Sequence, residues 1–504
     1  MAVINAFGSW YFKKRLNQAQ EAIDNPIDFQ KNTLSELISN SVNTEFGKTH
    51  DFKSIKSQKD YENRFKIQDY EAIKPYIERL MKGEQNLLWP SEITWFAKSS
   101  GTTNDKSKFI PVSFESIENC HFQGGKDLLT FYCSNVNETS LFDGKGLLIG
   151  GSHKINSFNE NSFYGDLSAV LMNNMPTWVN LLKTPDKSIA LLDDWEKKMD
   201  LMVKHTFNEN VTNISGVPTW TMVLLNKLIE LKKVNTIHDI WPNLELYIHG
   251  GVSFEPYRKP FSQIVDQSKM NYLETYNASE GFFGFQNELN DKSMLLMPNY
   301  GIYYEFIKTN DLNSDNPKVY TLETVDINTS YAIVITTNSG LWRYLIGDTI
   351  TFTNNKPFKF IINGRTKLYI NAFGEELMID NAEKALAFAC EITKSSIADY
   401  TAAPVYLENK SQGCHEWCIE FEKLPDNLMH FGEVLDQKLK ELNSDYEAKR
   451  HKNIALKEPI ITVLKNNTFY LWLKEKGKLG GQNKVPRLSN DRKIIDEIKS
   501  IVQL

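Results

Sequence analysis

Short apolar runs, each closing on a glycine or polar turn and separated by helix-length amphipathic stretches, constrain this chain most. GLLIGG (146–151), LELYIHGG (244–251), NYLETY (271–276) and YAIVITT (331–337) read as strands. Helical patterns lie between them at about 187–206 and behind Val217-Pro218. There TWTMVLLNKLIELKKV spaces its apolar residues as a helix does, and Pro218 suits a first turn. Strands alternating with helices imply an α/β fold with a large, mostly parallel sheet flanked by helices. Binding loops of such sheets gather at the carboxyl ends of the strands. The turns after these runs are therefore the place to look for chemistry.

Residues 1–95 read as mainly helical and 115–135 as a further helix. After FKFIINGRTKLYINAFGEEL (358–377) the pattern changes to helix (381–394), strand (about 404–407), strand (415–422), helix (427–442) and strand (about 460–464). That is a small α+β unit. The chain thus divides into a large N-terminal region, 1–365, and a small C-terminal one, 366–504.

Several classes are disfavoured by composition. With 57 basic and 63 acidic residues the net charge is −6, which gives no global attraction to nucleic acid or anionic lipid. No run of about 18 apolar residues exists to span a membrane, and the N-terminus lacks the features of a signal peptide. Five cysteines in 504 residues argue for reduced thiols and a cytoplasmic setting. Only Cys414, His415 and Cys418 cluster, and their alternating neighbours Trp417, Ile419 and Phe421 favour a strand over a zinc site.

Five motifs carry chemistry. In Ser99-Ser100-Gly101-Thr102-Thr103-Asn104-Asp105-Lys106-Ser107-Lys108, hydroxyls, a glycine and two lysines suit a phosphate-wrapping loop, although the P-loop spacing is absent. A plain solvated loop fits the same composition. Tyr276 to Gly281, YNASEG, puts a ring, the Ser279 hydroxyl and the Glu280 carboxylate on one strand-end turn, suited to a purine and to Mg²⁺ beside phosphates. An ordinary capped turn is the bland alternative. Asp348 follows Gly347, where it suits two ribose hydroxyls or plain turn chemistry. Arg365 stands at the junction of the two regions. Lys484 lies in the polar loop GGQNKVPR (480–487), which on its own reads as surface.

Order and setting unite these motifs. SSGTTNDKSK with FIPVS, YGDLSAV (164–170), GVPTW (216–220), HGGVSFEPY (249–257), YNASEG, YLIGD (344–348), GRTKLYINAFGEE and QNKVPR together resemble the Gretchen Hagen family of acyl-acid amido synthetases. This family, known from plant auxin-responsive enzymes and from bacteria, is a branch of the adenylate-forming superfamily. The resemblance runs almost end to end. It implies ATP and Mg²⁺ as cofactors, a small carboxylic acid as substrate, an amino acid or other amine as acceptor, and a mobile C-terminal lid.

The resemblance also implies residue roles. Phosphates would lie along Ser99, Ser100, Gly101, Thr102, Thr103 and Lys108, with adenine beside Tyr276 and ribose on Asp348 and Arg365. Ser279 would meet the α-phosphate, Glu280 the metal, and Lys484 would span carboxylate and α-phosphate. The acyl group would rest on Val217, Trp220, Met222, Val223 and the His249-Gly250-Gly251 segment, with Trp220 and Met222 equally acceptable as core. His121 and Lys126 approach from the preceding helix. Two departures stand out: Asp105 replaces the family's usual glycine, and INAFGEEL resembles the wider superfamily more than the plant branch. The rivals are transfer of the acyl group to coenzyme A, and a non-catalytic sensor of an acid or nucleotide. Intact Glu280, Asp348 and Lys484 argue against the sensor.

Overall fold

A computed structural model describes residues 2–100, 107–150, 155–192, 194–252, 254–312, 314, 316–366, 369–407, 412–476 and 485–501. Gly101, Thr102, Thr103 and Lys484 lie outside the described residues, as do the side chains of Ser100 and Arg365.

The first 81 residues are mainly helical, including Ala2–Asp24, Pro26–Ser41 and Tyr70–Met81. Pro26 opens the second, and the Asp69 side chain caps the third by accepting from the Ala72 amide. The first packs on the helix Gln123–Asn135, the third on the strand Ser107–Val112 of a smaller sheet, and the second on a sheet of twelve strands. In spatial order the strands are Val319–Tyr320, Ile302–Lys308, Ser330–Thr337, Tyr344–Asn355, Phe358–Arg365, Met294–Leu296, Gly281–Phe285, Asn271–Ala278, Leu246–Gly250, Val211–Ser215, Lys145–Leu148 and Lys183–Thr184.

Parallel pairing is confined to the last five. There the helices Pro218–Lys232 and Glu255–Ile264 provide the crossovers that parallel neighbours need. The other half is antiparallel. YAIVITT belongs to that half, so the expectation of a mostly parallel sheet holds for one side only. Seven of the eight residues of Ser330–Thr337 are buried. Burial on both faces makes a strand continuously apolar whatever its direction, so the run reveals the strand and not its orientation.

A smaller sheet of four strands contains Trp95–Ser100 paired antiparallel with Ser107–Val112 and parallel with Ser162–Gly165. Beyond 365, a three-stranded sheet pairs Ser396–Tyr406 with Gly413–Lys423 antiparallel, and the latter with Ile460–Leu464 parallel. Helices Ile379–Thr393 and Leu428–Leu442 cover one face, burying Trp417, Ile419 and Phe421. Cys418 points the other way, into a cluster with Phe469, Trp472, Ile495 and Ile498. The CHEWC segment is thus a doubly buried strand. Among the described residues no cluster of metal-ligating side chains forms, and no helix is long and apolar enough to cross a membrane.

Arg343 ties the helical layer to the sheet. Its backbone has φ +44, and its guanidinium donates to both oxygens of buried Glu305 at 2.8 and 3.0 Å and to the carbonyls of Glu62 and Phe65. Both side chains are at most 4% exposed. Removing one partner strands a buried charge. We expect Arg343→Met to lower unfolding free energy by about 3–5 kcal/mol in urea titration. A loss below about 1 kcal/mol would contradict this role.

Candidate active site

The strand Leu246–Gly250 runs beside Asn271–Ala278 with Gly250 opposite Thr275. Approach is close: a Cβ on Gly250 would lie 2.5 Å from the Thr275 carbonyl oxygen. Thr275 Oγ1 donates to the His249 carbonyl at 3.2 Å, fixing the end of this strand. Gly251 then turns with φ +80, and its carbonyl accepts from Asn371 Nδ2 at 3.0 Å. The INAFGEE segment therefore lies against the HGG turn.

Asn271–Ala278 ends in a two-residue turn, Ser279-Glu280, before Gly281–Phe285 returns antiparallel. Glu280 is 9% exposed and Ser279 half-buried. Tyr276 is buried, with its ring 4.7 Å from Phe283 and 6.1 Å from Phe360. Its hydroxyl donates to Asp348 Oδ2 at 2.5 Å. Asp348 follows Gly347 (φ +97) and stands opposite Arg365 in the strand pair. Three sequence candidates, Tyr276, Asp348 and the Arg365 backbone, thus converge near the Ser279-Glu280 turn's own strand.

Ser99 and Ser100 close the strand Trp95–Ser100 and face Lys108 and Ser107 across the pair. Lys108 Nζ lies 5.6 Å over the Tyr70 ring. Ser107 Oγ shares a 3.3 Å hydrogen bond with Ser444 Oγ, joining the arm of the phosphate loop to the C-terminal region. The chain following Lys484 is anchored. Val485 is buried, the Pro486 carbonyl accepts from Thr401 Oγ1 at 2.7 Å, and Arg487 pairs with Asp399.

Trp220 and Met222 are both buried in the core around the helix Pro218–Lys232, and Val223 is half-buried beside it. Val217 precedes that helix, with its Cγ2 3.7 Å from where a Gly251 Cβ would stand. Trp220 meets a residue the sequence did not single out: Lys449 Nζ lies 4.3 Å over its ring. His249 is 3% exposed and stacks on Phe254 at 4.3 Å. Burial, and after it the nearby Arg258, pushes its pKa down to about 3. A base so weak makes a poor proton acceptor near neutrality, and His249 is buried here as a neutral ring.

His121 lies on a π-helical turn, Ile117–Phe122, a local distortion common at functional sites. It bonds Asn277 Oδ1 through Nδ1 at 2.8 Å, next to Tyr276. Behind it Gly124 permits contact with Phe282, whose ring a Cβ would strike at 2.5 Å. Lys126, half-buried on the following helix, makes no described contact with the strand ends. Asn277 sits inside YNASEG, so its position was visible in the sequence and its partner was not.

Burial pushes His121 down to about 4 although the Asn277 bond opposes this. Both imidazoles therefore bind protons more weakly folded than unfolded. Their contribution is complete above the ordinary value of about 6.5 and is lost as pH falls toward 4 and 3. We expect the urea midpoint to drop between pH 6.5 and 4, on the order of 3 kcal/mol for each histidine. The double variant His121→Gln/His249→Gln should flatten that slope, and an unchanged slope would refute the assignment.

The chain matches the GH3 family N-terminal domain over residues 15–270, the GH3 family central domain over 294–365 and the GH3 family C-terminal domain over 380–493. It is 24% identical to an indole-3-acetic acid-amido synthetase, GH3.4, of Arabidopsis thaliana over 559 aligned positions, covering 94% of this chain and 91% of that protein. Among solved structures, the AtGH3.15 acyl acid amido synthetase in complex with 2,4-DB superposes with a TM-score of 0.63 at 17% identity, covering 97% and 96% of the two chains. A 2-hydroxyisobutyryl-CoA ligase superposes with a TM-score of 0.55 at 13% identity, covering 94% and 91%. The fold is that of the adenylate-forming ligases, and the chain belongs to the GH3 family.

Proposed function

We propose that this enzyme activates a small carboxylic acid with ATP as its acyl-adenylate and passes the acyl group to the amine of an amino acid. The carrying observation is the Tyr276–Asp348 hydrogen bond. It joins two motifs 72 residues apart beside the Ser279-Glu280 turn. In this reading Tyr276 flanks adenine, Asp348 holds the ribose, and Arg365 assists from the facing strand. Ser99 to Lys108 hold the phosphates, Ser279 meets the α-phosphate and Lys484 bridges it to the acid.

A single buried carboxylate fits Mg²⁺, which keeps several waters and takes one or two protein carboxylates beside phosphates. Glu280 would hold it here. When bound, the metal neutralises phosphate charge.

In the first step a carboxylate oxygen bonds to the α-phosphorus and pyrophosphate leaves with the electron pair of the broken P–O bond. Cationic and N–H groups stabilise the charge gathering on phosphorus. In the second, the neutral amine bonds to the acyl carbon, the adenylate C–O bond breaks and AMP departs. The amine proton passes to water or a base. Val217, Trp220 and the His249–Gly251 turn support the acyl group, and the division near 365 separates a body from a lid carrying Lys484.

Pyrophosphate release from MgATP tests this across indolic, jasmonate-like, benzoic and aliphatic acids, each with and without twenty amino acids or coenzyme A. Acid-dependent release with amide product supports the reading. Thioester product would transfer it to the ligase alternative, and no release with any acid would favour a sensor. Lys484→Ala should lower release by two or more orders of magnitude while ATP still binds. Asp348→Ala should raise the ATP Kd at least tenfold, and an unaltered Kd would end the ribose assignment.

A further inference from the structure

Lys449 lies on the helix Ser444–Arg450, whose first residue holds Ser107 of the phosphate-loop arm. Its side chain runs inward and the residue is 8% exposed. The ammonium sits over Trp220 on one side. On the other it meets the turn after Asn371, where a Cβ on Gly374 would come within 3.3 Å of Nζ. Gly374 has φ +85, so glycine supplies both the turn and the space. That turn in turn touches the HGG end through Asn371 and Gly251. Lys449 therefore stands where the phosphate arm, the acyl helix and the C-terminal region meet.

Among the described residues no carboxylate lies in contact with the Lys449 ammonium. Among the described residues its interactions are the Trp220 ring and the fields of Asp445, Asp166, Glu375 and Glu376. Glu375 is already engaged by His415 and by the amides of Ala372 and Phe373. Burial lowers the Lys449 pKa, opposed by those four carboxylates. An ammonium taken from water without a contact anion is costly. An aromatic face returns only part of that cost. An anion arriving during the reaction would complete the balance.

Two carboxylates take part in amide formation. The acyl acid loses its charge on becoming an adenylate. The acceptor amino acid keeps its α-carboxylate from binding to product, and so needs a lasting counter-charge. We propose that Lys449 binds the α-carboxylate of the acceptor amino acid and thereby directs its α-amine toward the acyl-adenylate. This assignment rests on the amide-forming reading above. It makes Lys449 a specificity-determining residue, selecting α-amino acids over simple amines.

The test uses the full-length enzyme, the acid giving fastest pyrophosphate release in the panel, the best of the twenty amino acids, and that amino acid's α-carboxamide. Lys449→Met should leave acid-dependent pyrophosphate release without acceptor within about twofold, which also reports folding. For the amino acid, kcat/KM should fall at least tenfold, mainly through KM. For the carboxamide, parent and variant should be equal, and Lys449→Arg should recover part of the loss. Equal losses on amino acid and carboxamide would overturn the proposal. So would a raised KM for the acyl acid, which would put the other carboxylate at Lys449. An unaltered acceptor KM with intact pyrophosphate release overturns the Lys449 assignment alone. A parent enzyme without acid-dependent release overturns the amide-forming reading and this inference with it.

Discussion

The bond from the Tyr276 hydroxyl to Asp348 sets the shape on which the site depends. The two residues stand on strands four places apart in the sheet. In a flat sheet that separation is about 19 Å. Contact therefore requires the antiparallel half to curl strongly. Register shifts at Phe282/Gly284, Thr349/Ile350 and Phe352/Asn354 supply the local bends. Phe360, on an intervening strand, fills the hollow beneath the Tyr276 ring. Curvature brings the tyrosine of one motif to the aspartate of another, while the parallel half carries the helix Pro218–Lys232 and the HGG turn.

Close approach runs through the same region. Gly250 lets two strands come together, Gly124 seats the helix of His121 on Phe282, and Gly374 makes space for Lys449. Each glycine is explained by the neighbour that a Cβ would strike. The buried polar groups follow a different rule. Arg343 and Glu305 are fully paired and hold the scaffold. His121 and His249 are kept neutral by burial. Lys449 alone among these is a buried cation whose contact partner is an aromatic ring.

Much of this was legible in the sequence because local chemistry decides it. The strand runs, the Pro218 helix and the helix–strand order beyond 365 all reappear, since period and capping act over a few residues. Strand direction was not legible. YAIVITT looks the same whether its neighbours run with it or against it, because it is buried on both faces. Of the candidate site, Tyr276, Asp348 and Glu280 stood out by type and order, but the Tyr276–Asp348 bond needed the curl of the sheet. Lys449 was invisible: one lysine in SDYEAKR looks like any solvated helix face, and only the packing of distant segments buries it.

In the proposed reaction the acid's own carboxylate attacks the α-phosphorus. Complete turnover with the carboxylate labelled by ¹⁸O, followed by mass analysis of the nucleotide, tests it most directly. Attack at the α-phosphorus leaves one ¹⁸O atom in AMP and none in pyrophosphate. Label in inorganic phosphate, with ADP as the nucleotide product, would mean attack at the terminal phosphorus and an acyl-phosphate route, and would contradict it.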